Sequence, residues 1–284
     1  MRKWTFAKGH GTKNDFVIVR DRHGTVRIDD ADVRFLCDRH AGIGGDGLLR
    51  VTKASSIPEW EGDPDLWFMD YRNADGSIAE MCGNGLRVFV RYLMEEGLAS
   101  GESIPVATRA GLRTVQPLID GRLRCGMGPV RLADEPVTVT IEIPHLGPQG
   151  SWQATAVDVG NPHAVCFLED SDVSLVELDL GREPIWTPAD RFPAGTNIEF
   201  VEVIDERHIS MRVHERGAGE TLSCGTGTVA AAHAYARRAG LVDGEVRVDV
   251  PGGWVVVGLG EQEATLTGPA VIVARGETWL PDNL

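Results

Sequence analysis

One short pattern, cysteine-glycine-any residue-glycine, occurs twice in this chain of 284 residues, each time at the start of an apolar segment. The first copy is Met81-Cys82-Gly83-Asn84-Gly85, preceded by Phe68-Met69-Asp70-Tyr71-Arg72-Asn73-Ala74-Asp75-Gly76. The second is Ser223-Cys224-Gly225-Thr226-Gly227, preceded by Ser210-Met211-Arg212-Val213-His214-Glu215-Arg216-Gly217-Ala218. Asn73 stands nine residues before Cys82, and Glu215 nine residues before Cys224. Further upstream, Asn14-Asp15-Phe16-Val17 precedes Cys82 by a distance similar to that from Asn161-Pro162-His163-Ala164 to Cys224. The agreement of motif and offset marks an internal repeat of roughly 140 residues. The chain must therefore build the same strand–loop–helix unit twice.

The segments after the two motifs differ from surface helices. Leu86, Val88, Phe89, Val90, Tyr92, Leu93 and Met94 cover most of a helical circumference, as do Val229, Ala230, Ala231, Ala232, Ala234, Tyr235 and Ala236. A helix apolar nearly all round is buried on most sides. Gly97 and Gly240 stand where helix-ending glycines belong. Further helices are expected over 30–39, behind an Asp29-Asp30 cap, and over 171–180. Strand signals dominate the rest. The segments are 15–19, 66–71, 137–143, 164–168, 197–203, 209–214, 246–250 and 254–258, with a hairpin of 112–118 and 123–127 about Asp120-Gly121. Strongly curved sheet wrapped around each apolar helix accommodates both observations.

Charge and cysteine usage narrow the function. A net charge of -14 repels phosphate backbones and anionic surfaces, so neither nucleic acid nor membrane is expected as partner. No apolar run approaches the roughly 20 residues of a membrane span, and Met1-Arg2-Lys3-Trp4-Thr5-Phe6 leads into no apolar core of a signal peptide. Five widely spaced cysteines fit a reducing, cytoplasmic setting better than a disulfide scaffold and offer no zinc spacing. No metal and no cofactor is expected.

Cys82 and Cys224 each stand immediately before a helix. The first helical turn offers unpaired N–H groups and a partial positive charge, which lower a thiol's pKa and bind carboxylates. The flanking glycines let a ligand approach the backbone. Two such thiols suit inversion of a carbon bearing hydrogen: one removes a proton from one face, the other delivers a proton to the opposite face. Helix N-termini aimed at an α-carboxylate stabilise the developing charge. Cys37, Cys125 and Cys166 have no such setting and read as buried structural thiols.

With these residues in view the chain resembles the diaminopimelate epimerases. The resemblance rests on 6–16, on Asp38-Arg39-His40-Ala41-Gly42-Ile43-Gly44 and on Asn73-Ala74-Asp75-Gly76-Ser77. It continues through 81–85, Gly160-Asn161-Pro162-His163, 215–221 and Cys224-Gly225-Thr226-Gly227, so it spans nearly the whole chain. It implies an α/β (α+β) fold of two structurally similar lobes, each a curved, mostly antiparallel sheet around a central helix, with the active site in the cleft between them. The lobes would comprise 1–127 plus 272–284, carrying Cys82, and 128–271, carrying Cys224. The implied enzyme is a cofactor-independent isomerase of lysine and peptidoglycan precursor biosynthesis, interconverting LL- and meso-diaminopimelate, and a homodimer is the assembly it suggests.

By position, the resemblance makes Cys82 and Cys224 the acid/base pair, with His163 and Glu215 assisting the thiols or ordering the site. Asn14, Asn73, Asn161, Asn197, Glu215 and Arg216 would bind substrate through side chains, and Gly83-Asn84 and Gly225-Thr226 through backbone N–H groups. A guanidinium at Arg216 suits a second carboxylate. The chain departs from the family in two places. Thr12-Lys13 replaces a Leu-Gly pair, and Gly47 stands where many members carry glutamine, so no side chain from 47 can reach a substrate.

Competing readings use the same residues. Gly42-Ile43-Gly44-Gly45-Asp46-Gly47 matches a dinucleotide glycine pattern but lies between helix and strand in the reverse order, so it reads as a turn. The same fold could serve a proline-type racemase, for which Arg216 would be idle. A hydrolase using Cys224 with His163 would not need Cys82, and a bilobed binding protein would need neither thiol.

Overall fold

The computed structural model describes residues 1–143, 147–169, 171–260 and 262–281. The chain divides into two compact units, Met1–Cys125 with Gly268–Leu284, and Gly126–Thr267. Part of the first expected lobe, 282–284, lies outside the described residues.

The first unit contains β1 (Arg2–Gly11), β2 (Asn14–Arg20), α1 (Asp30–Cys37), β3 (Gly47–Lys53), β4 (Trp67–Asn73), α2 (Gly83–Glu95), β5 (Ile104–Thr108) and β6 (Gly111–Pro117). Its last hairpin strand, β7 (Leu123–Gly128), runs past the division at Cys125. The second unit contains β8 (Arg131–Leu132), β9 (Val137–Ile143), β10 (Gly147–Asp158), β11 (Pro162–Phe167), β12 (Ile185–Thr187), β13 (Asn197–Asp205), β14 (His208–Glu215) and β15 (Gly219–Thr221). It continues with α3 (Gly225–Ala239), β16 (Glu245–Val250), β17 (Gly253–Gly258) and β18 (Ala264–Gly268). The final strand, β19 (Val271–Leu280), returns to the first unit and pairs antiparallel with β1.

The repeat read from the sequence is a repeat of topology. In the first unit β1–β2 is antiparallel, β2–β3 parallel, β3–β4 antiparallel, β4–β5 parallel and β5–β6 antiparallel. In the second the same series runs β10–β11, β11–β13, β13–β14, β14–β16 and β16–β17. Registers coincide as well. Phe16 pairs with Gly47 and Gly47 with Asn73, as His163 pairs with Asn197 and, one step before the Ile198–His214 pair, Asn197 faces Glu215.

Each central helix lies against the strands of its own unit, α2 on β1 to β4 and α3 on β10, β11, β13 and β14. Leu86, Val88, Phe89, Val90 and Leu93 of α2 have no exposed surface, nor do Val229 to Ala232 of α3. At about 1.5–3 kcal/mol for each large side chain, this burial outweighs any deficit in helix propensity. On the other face of the first sheet, Val33 and Leu36 of α1 pack with Val17, Val19 and Leu48. The Asp29 carboxylate caps α1 and forms a capping box with Asp32.

The helix expected over 171–180 is not formed; only a 3-10 turn at Leu175–Glu177 is present. Arg212 of β14 donates to the carbonyls of Leu175 and Leu178, and Glu202 accepts from the Leu175 N–H. The backbone groups a helix would pair internally are thus taken by the sheet, while Leu175, Leu178 and Leu180 fill the core. Strands β1, β5, β8, β10, β12, β15, β18 and β19 lie outside the segments that read as strand in the sequence. No helix among the described residues is long and apolar enough to cross a membrane.

Candidate active site

Cys82 and Cys224 occupy the same local geometry. Each is the residue capping its helix, with extended backbone, and each sulfur accepts the N–H of the glycine three residues on, Gly85 at 3.3 Å and Gly227 at 3.4 Å. The motif's spacing makes this inevitable. A cap residue turns its side chain back over the third helical N–H, and thiol sulfur does what a serine oxygen does at other helices. The first turn's remaining N–H groups, at Gly83-Asn84 and Gly225-Thr226, are those a helix cannot satisfy internally.

In the first unit Cys82 is half-buried and its thiol donates to Asn14 Oδ1 at 3.7 Å. Asn84 Nδ2 reaches the same oxygen at 3.3 Å, and Asn14 Nδ2 donates to Asp46 Oδ2 at 2.7 Å. Asp46 is pushed upward by burial and by the neighbouring Asp15 charge. Burial would also raise Asp15, but Arg39 and Lys8 outweigh it and lower its pKa to about 2. Asn73 is held differently: its Nδ2 donates to Ser77 Oγ at 3.0 Å and its Oδ1 accepts from the Tyr71 hydroxyl at 2.9 Å. Tyr71 also explains Gly47. A Cβ at 47 would lie 2.7 Å from Tyr71 Cε2 and 2.6 Å from the Arg72 carbonyl, so only glycine fits.

In the second unit Asn161 Nδ2 donates to Thr226 Oγ1 at 3.3 Å, and that hydroxyl lies 3.5 Å from Cys224 Sγ. His163 is wholly buried, with Nδ1 2.7 Å from Glu199 Oε1 and Nε2 3.0 Å from Asn161 Oδ1. Glu215 Oε1 accepts from the Thr221 hydroxyl. Asn197 is engaged with backbone at both ends of its amide, accepting the Arg216 N–H at 3.0 Å and donating to the Pro162 carbonyl at 3.3 Å. Arg216 is exposed, and its guanidinium donates to the Ala194 carbonyl at 3.1 Å.

The expectation of an acidic thiol fails at Cys224. Its pKa is pushed well above the ordinary thiol value, first by burial and then by the charges of Glu215 and Glu199, against the Thr226 hydroxyl and the Gly227 N–H. Magnitudes decide the contest. A helix N-terminus contributes about 0.3–1 kcal/mol, less than one pKa unit at about 1.4 kcal/mol each, whereas full burial shifts a pKa by up to about 3–5 units. Cys224 is therefore a thiol at neutral pH. Burial raises Cys37 to about 12 and pushes Cys166 up as well, in keeping with structural roles. Among the described residues no cluster of three or more His, Cys, Asp or Glu could hold a metal ion.

Sequence reasoning missed three groups at these sites. Arg87, fully buried in α2, donates to Asn84 Oδ1 at 2.7 Å, to Thr12 Oγ1 and to the Gly83 and Pro269 carbonyls, and so fixes the helix start. Asp46 aims Asn14, and Glu199 holds His163. A signal existed for two of them: Arg87 breaks an all-apolar helix, and Glu199 breaks the apolar run 198–201.

A family model described as diaminopimelate epimerase matches residues 6–133 and 155–277. The diaminopimelate epimerase of Streptomyces coelicolor is 48% identical, over 97% of this chain and 96% of its own. That of Corynebacterium glutamicum is 46% identical, over 96% and 97%. Among solved structures, a Bacillus anthracis phenazine biosynthesis protein of the PhzF family has a TM-score of 0.71 at 16% identity, covering 99% of this chain and 100% of its own. A hydroxyproline epimerase from Agrobacterium vitis has a TM-score of 0.66 at 14% identity, covering 99% and 94%. These two share the fold.

Proposed function

The chain belongs to the diaminopimelate epimerase family, and from that membership we propose that Cys82 and Cys224 are the acid/base pair that inverts the α-carbon of diaminopimelate. The protein is an isomerase that interconverts LL- and meso-diaminopimelate in lysine and peptidoglycan precursor biosynthesis. One observation carries the assignment of residues: each unit places one cysteine as the cap of a buried helix with its sulfur on a glycine N–H, and the three other cysteines lack that setting.

In the first step a thiolate takes the α-proton and the C–H electron pair passes toward the α-carboxylate. In the second the other thiol gives its proton to the opposite face of the same carbon. The enzyme ends with the two protonation states exchanged, and proton exchange with solvent resets them for the next turnover. Burial with Glu215 and Glu199 keeps Cys224 protonated, the form required of the donor. The N–H groups of Gly83-Asn84 and Gly225-Thr226 receive the α-carboxylate, where charge accumulates in the transition state. Arg216 pairs with the distal carboxylate, and Asn14, Asn73, Asn161, Asn197 and Glu215 read the ammonium groups. His163 orders Asn161. Neither pyridoxal phosphate nor a metal takes part; loss of turnover after exhaustive chelation would speak against this.

The protein works in the cytoplasm as a homodimer in this reading, which size-exclusion chromatography with light scattering tests. The deciding experiment for the chemistry is incubation with LL-diaminopimelate in deuterated water. Conversion to the meso form with one deuterium at the inverted carbon is expected. Conversion without deuterium uptake would remove the proton-transfer mechanism.

A further inference from the structure

Matched through their strand registers, the two units differ in kind at a buried place beneath each helix start. Phe16 and His163 occupy the same position on equivalent strands, and Leu49 and Glu199 stand two residues beyond the paired Gly47 and Asn197. All four side chains have no exposed surface. In the first unit Leu49 and Phe16 pack below α2, 3.4 and 3.5 Å from where a Cβ on Gly85 would lie. In the second, Glu199 Oε1 lies 2.5 Å from the corresponding point on Gly227. One fold thus holds a hydrocarbon pair in one copy and an acid–base pair in the other.

The hydrocarbon pair shows that the fold does not require polarity there. The polar pair is the costlier choice, because replacing buried ion pairs by packed apolar residues is often neutral or stabilising. Glu199 Oε2 has no hydrogen-bond partner among the described residues, which adds the cost of a desolvated acceptor. A chemical reason must offset that cost, and the hydrogen bonds supply one. Glu199 Oε1 and Asn161 Oδ1 sit on the two ring nitrogens of His163. With the carboxylate ionised both are acceptors, so the ring donates from both nitrogens. Asn161 Oδ1 is then occupied, its Nδ2 is turned to Thr226, and the Thr226 hydrogen is free for Cys224 Sγ. In the first unit Asp46 holds the equivalent Asn14 by Nδ2 and turns its oxygen to Cys82 instead.

We propose that Glu199 is a positioning residue of the epimerisation: through His163 and Asn161 it aims the Thr226 hydroxyl at Cys224. The proposal rests on the assignment of Cys224 to the reaction. The charged or titratable groups facing Cys224 are Glu215 from β14 and Glu199 from β13, with His163 of β11 behind Glu199.

Three variants test it: Glu199→Gln, Glu199→Leu, and His163→Phe with Glu199→Leu, which copies the first unit's pair. The double variant folds and melts no lower than the parent. In both leucine variants kcat for LL-diaminopimelate falls about 100-fold, the scale of a misplaced reacting group. Glutamine can donate to Nδ1 of a neutral ring and keep the chain of hydrogen bonds, so Glu199→Gln keeps kcat within about tenfold of the parent. Rescue by glutamine of a loss that the leucine variants show without a lowered melting temperature marks the hydrogen-bond chain; a purely structural role would tie kcat to melting temperature. Leucine variants within about twofold of the parent would overturn the proposal. If Glu199→Leu does not fold, near-parent kcat in the double variant overturns it alone. Cys82→Ala and Cys224→Ala serve as controls. If either turns over substrate, the two-thiol assignment fails; if both are inactive and the Glu199 variants are normal, only this inference fails.

Discussion

Glu199 Oε1 lies 2.7 Å from His163 Nδ1, and neither side chain has any surface in contact with solvent. The equivalent pair in the other unit is Leu49 and Phe16. The two halves of the molecule therefore share their backbone and differ in the chemistry stored beneath the helix that carries each thiol. Several measurable consequences come from that helix start and its surroundings.

Replacement of either Cys82 or Cys224 by alanine lowers epimerisation by about 1,000-fold or more, in line with loss of a positioned acid or base. Circular dichroism of the substrate measures the rate, and the far-ultraviolet spectrum of each variant stays that of the parent. Near-normal turnover by either single variant would defeat the two-base assignment.

Gly85→Ala and Gly227→Ala part company. At 85 the added methyl meets its neighbours at 3.4 Å or more, ordinary contact, and the helix gains the propensity difference between alanine and glycine, up to about 1 kcal/mol. At 227 the methyl would lie 2.5 Å from Glu199 Oε1 and 3.3 Å from Cys224 Sγ. Gly85→Ala melts at or above the parent temperature, whereas Gly227→Ala loses both stability and turnover. Equal melting temperatures for the two would contradict this packing.

Stability falls in alkali. Burial raises the Cys37 thiol from 9.0 to about 12, so the folded chain holds a proton that the unfolded chain releases above pH 9. The contribution is complete below pH 9 and is lost as pH rises toward 12, in total about 3 × 1.4, or ~4 kcal/mol, as an upper bound. Cys166 and Cys224 act in the same direction. Denaturant titrations at pH 8 and 11 measure the loss, and Cys37→Ala reduces it. A flat profile over that range would show that these thiols do not ionise on unfolding.

Thr12 and Lys13 form the two-residue turn between β1 and β2, and both have positive φ, 52° and 61°. Such turns favour glycine or asparagine. Thr12 is buried and tied to Arg87 and Asn84, but Lys13 is exposed. Lys13→Gly raises stability by about 0.5–1 kcal/mol, the cost of left-handed backbone relieved less glycine's added freedom when unfolded. Chemical denaturation reads the change, and a lower midpoint would refute it.

The sequence alone determined the repeat, the two buried helices, the pair of capping cysteines and the family these imply. All are local: a cap needs three residues, an apolar helix needs one segment, and a repeat needs only comparison of the chain with itself. The missing helix over 171–180 shows where local reasoning ends, since Arg212 and Glu202, distant in sequence, take the backbone groups that helix would have used. Only tertiary structure decided that Cys224 is a high-pKa thiol, that Tyr71 fills the space beside Gly47, and that Glu199 meets His163 across adjacent strands. Desolvation and charge pairing depend on what surrounds an atom in three dimensions, and the order of residues along one strand does not specify which neighbour the sheet register will bring beside it.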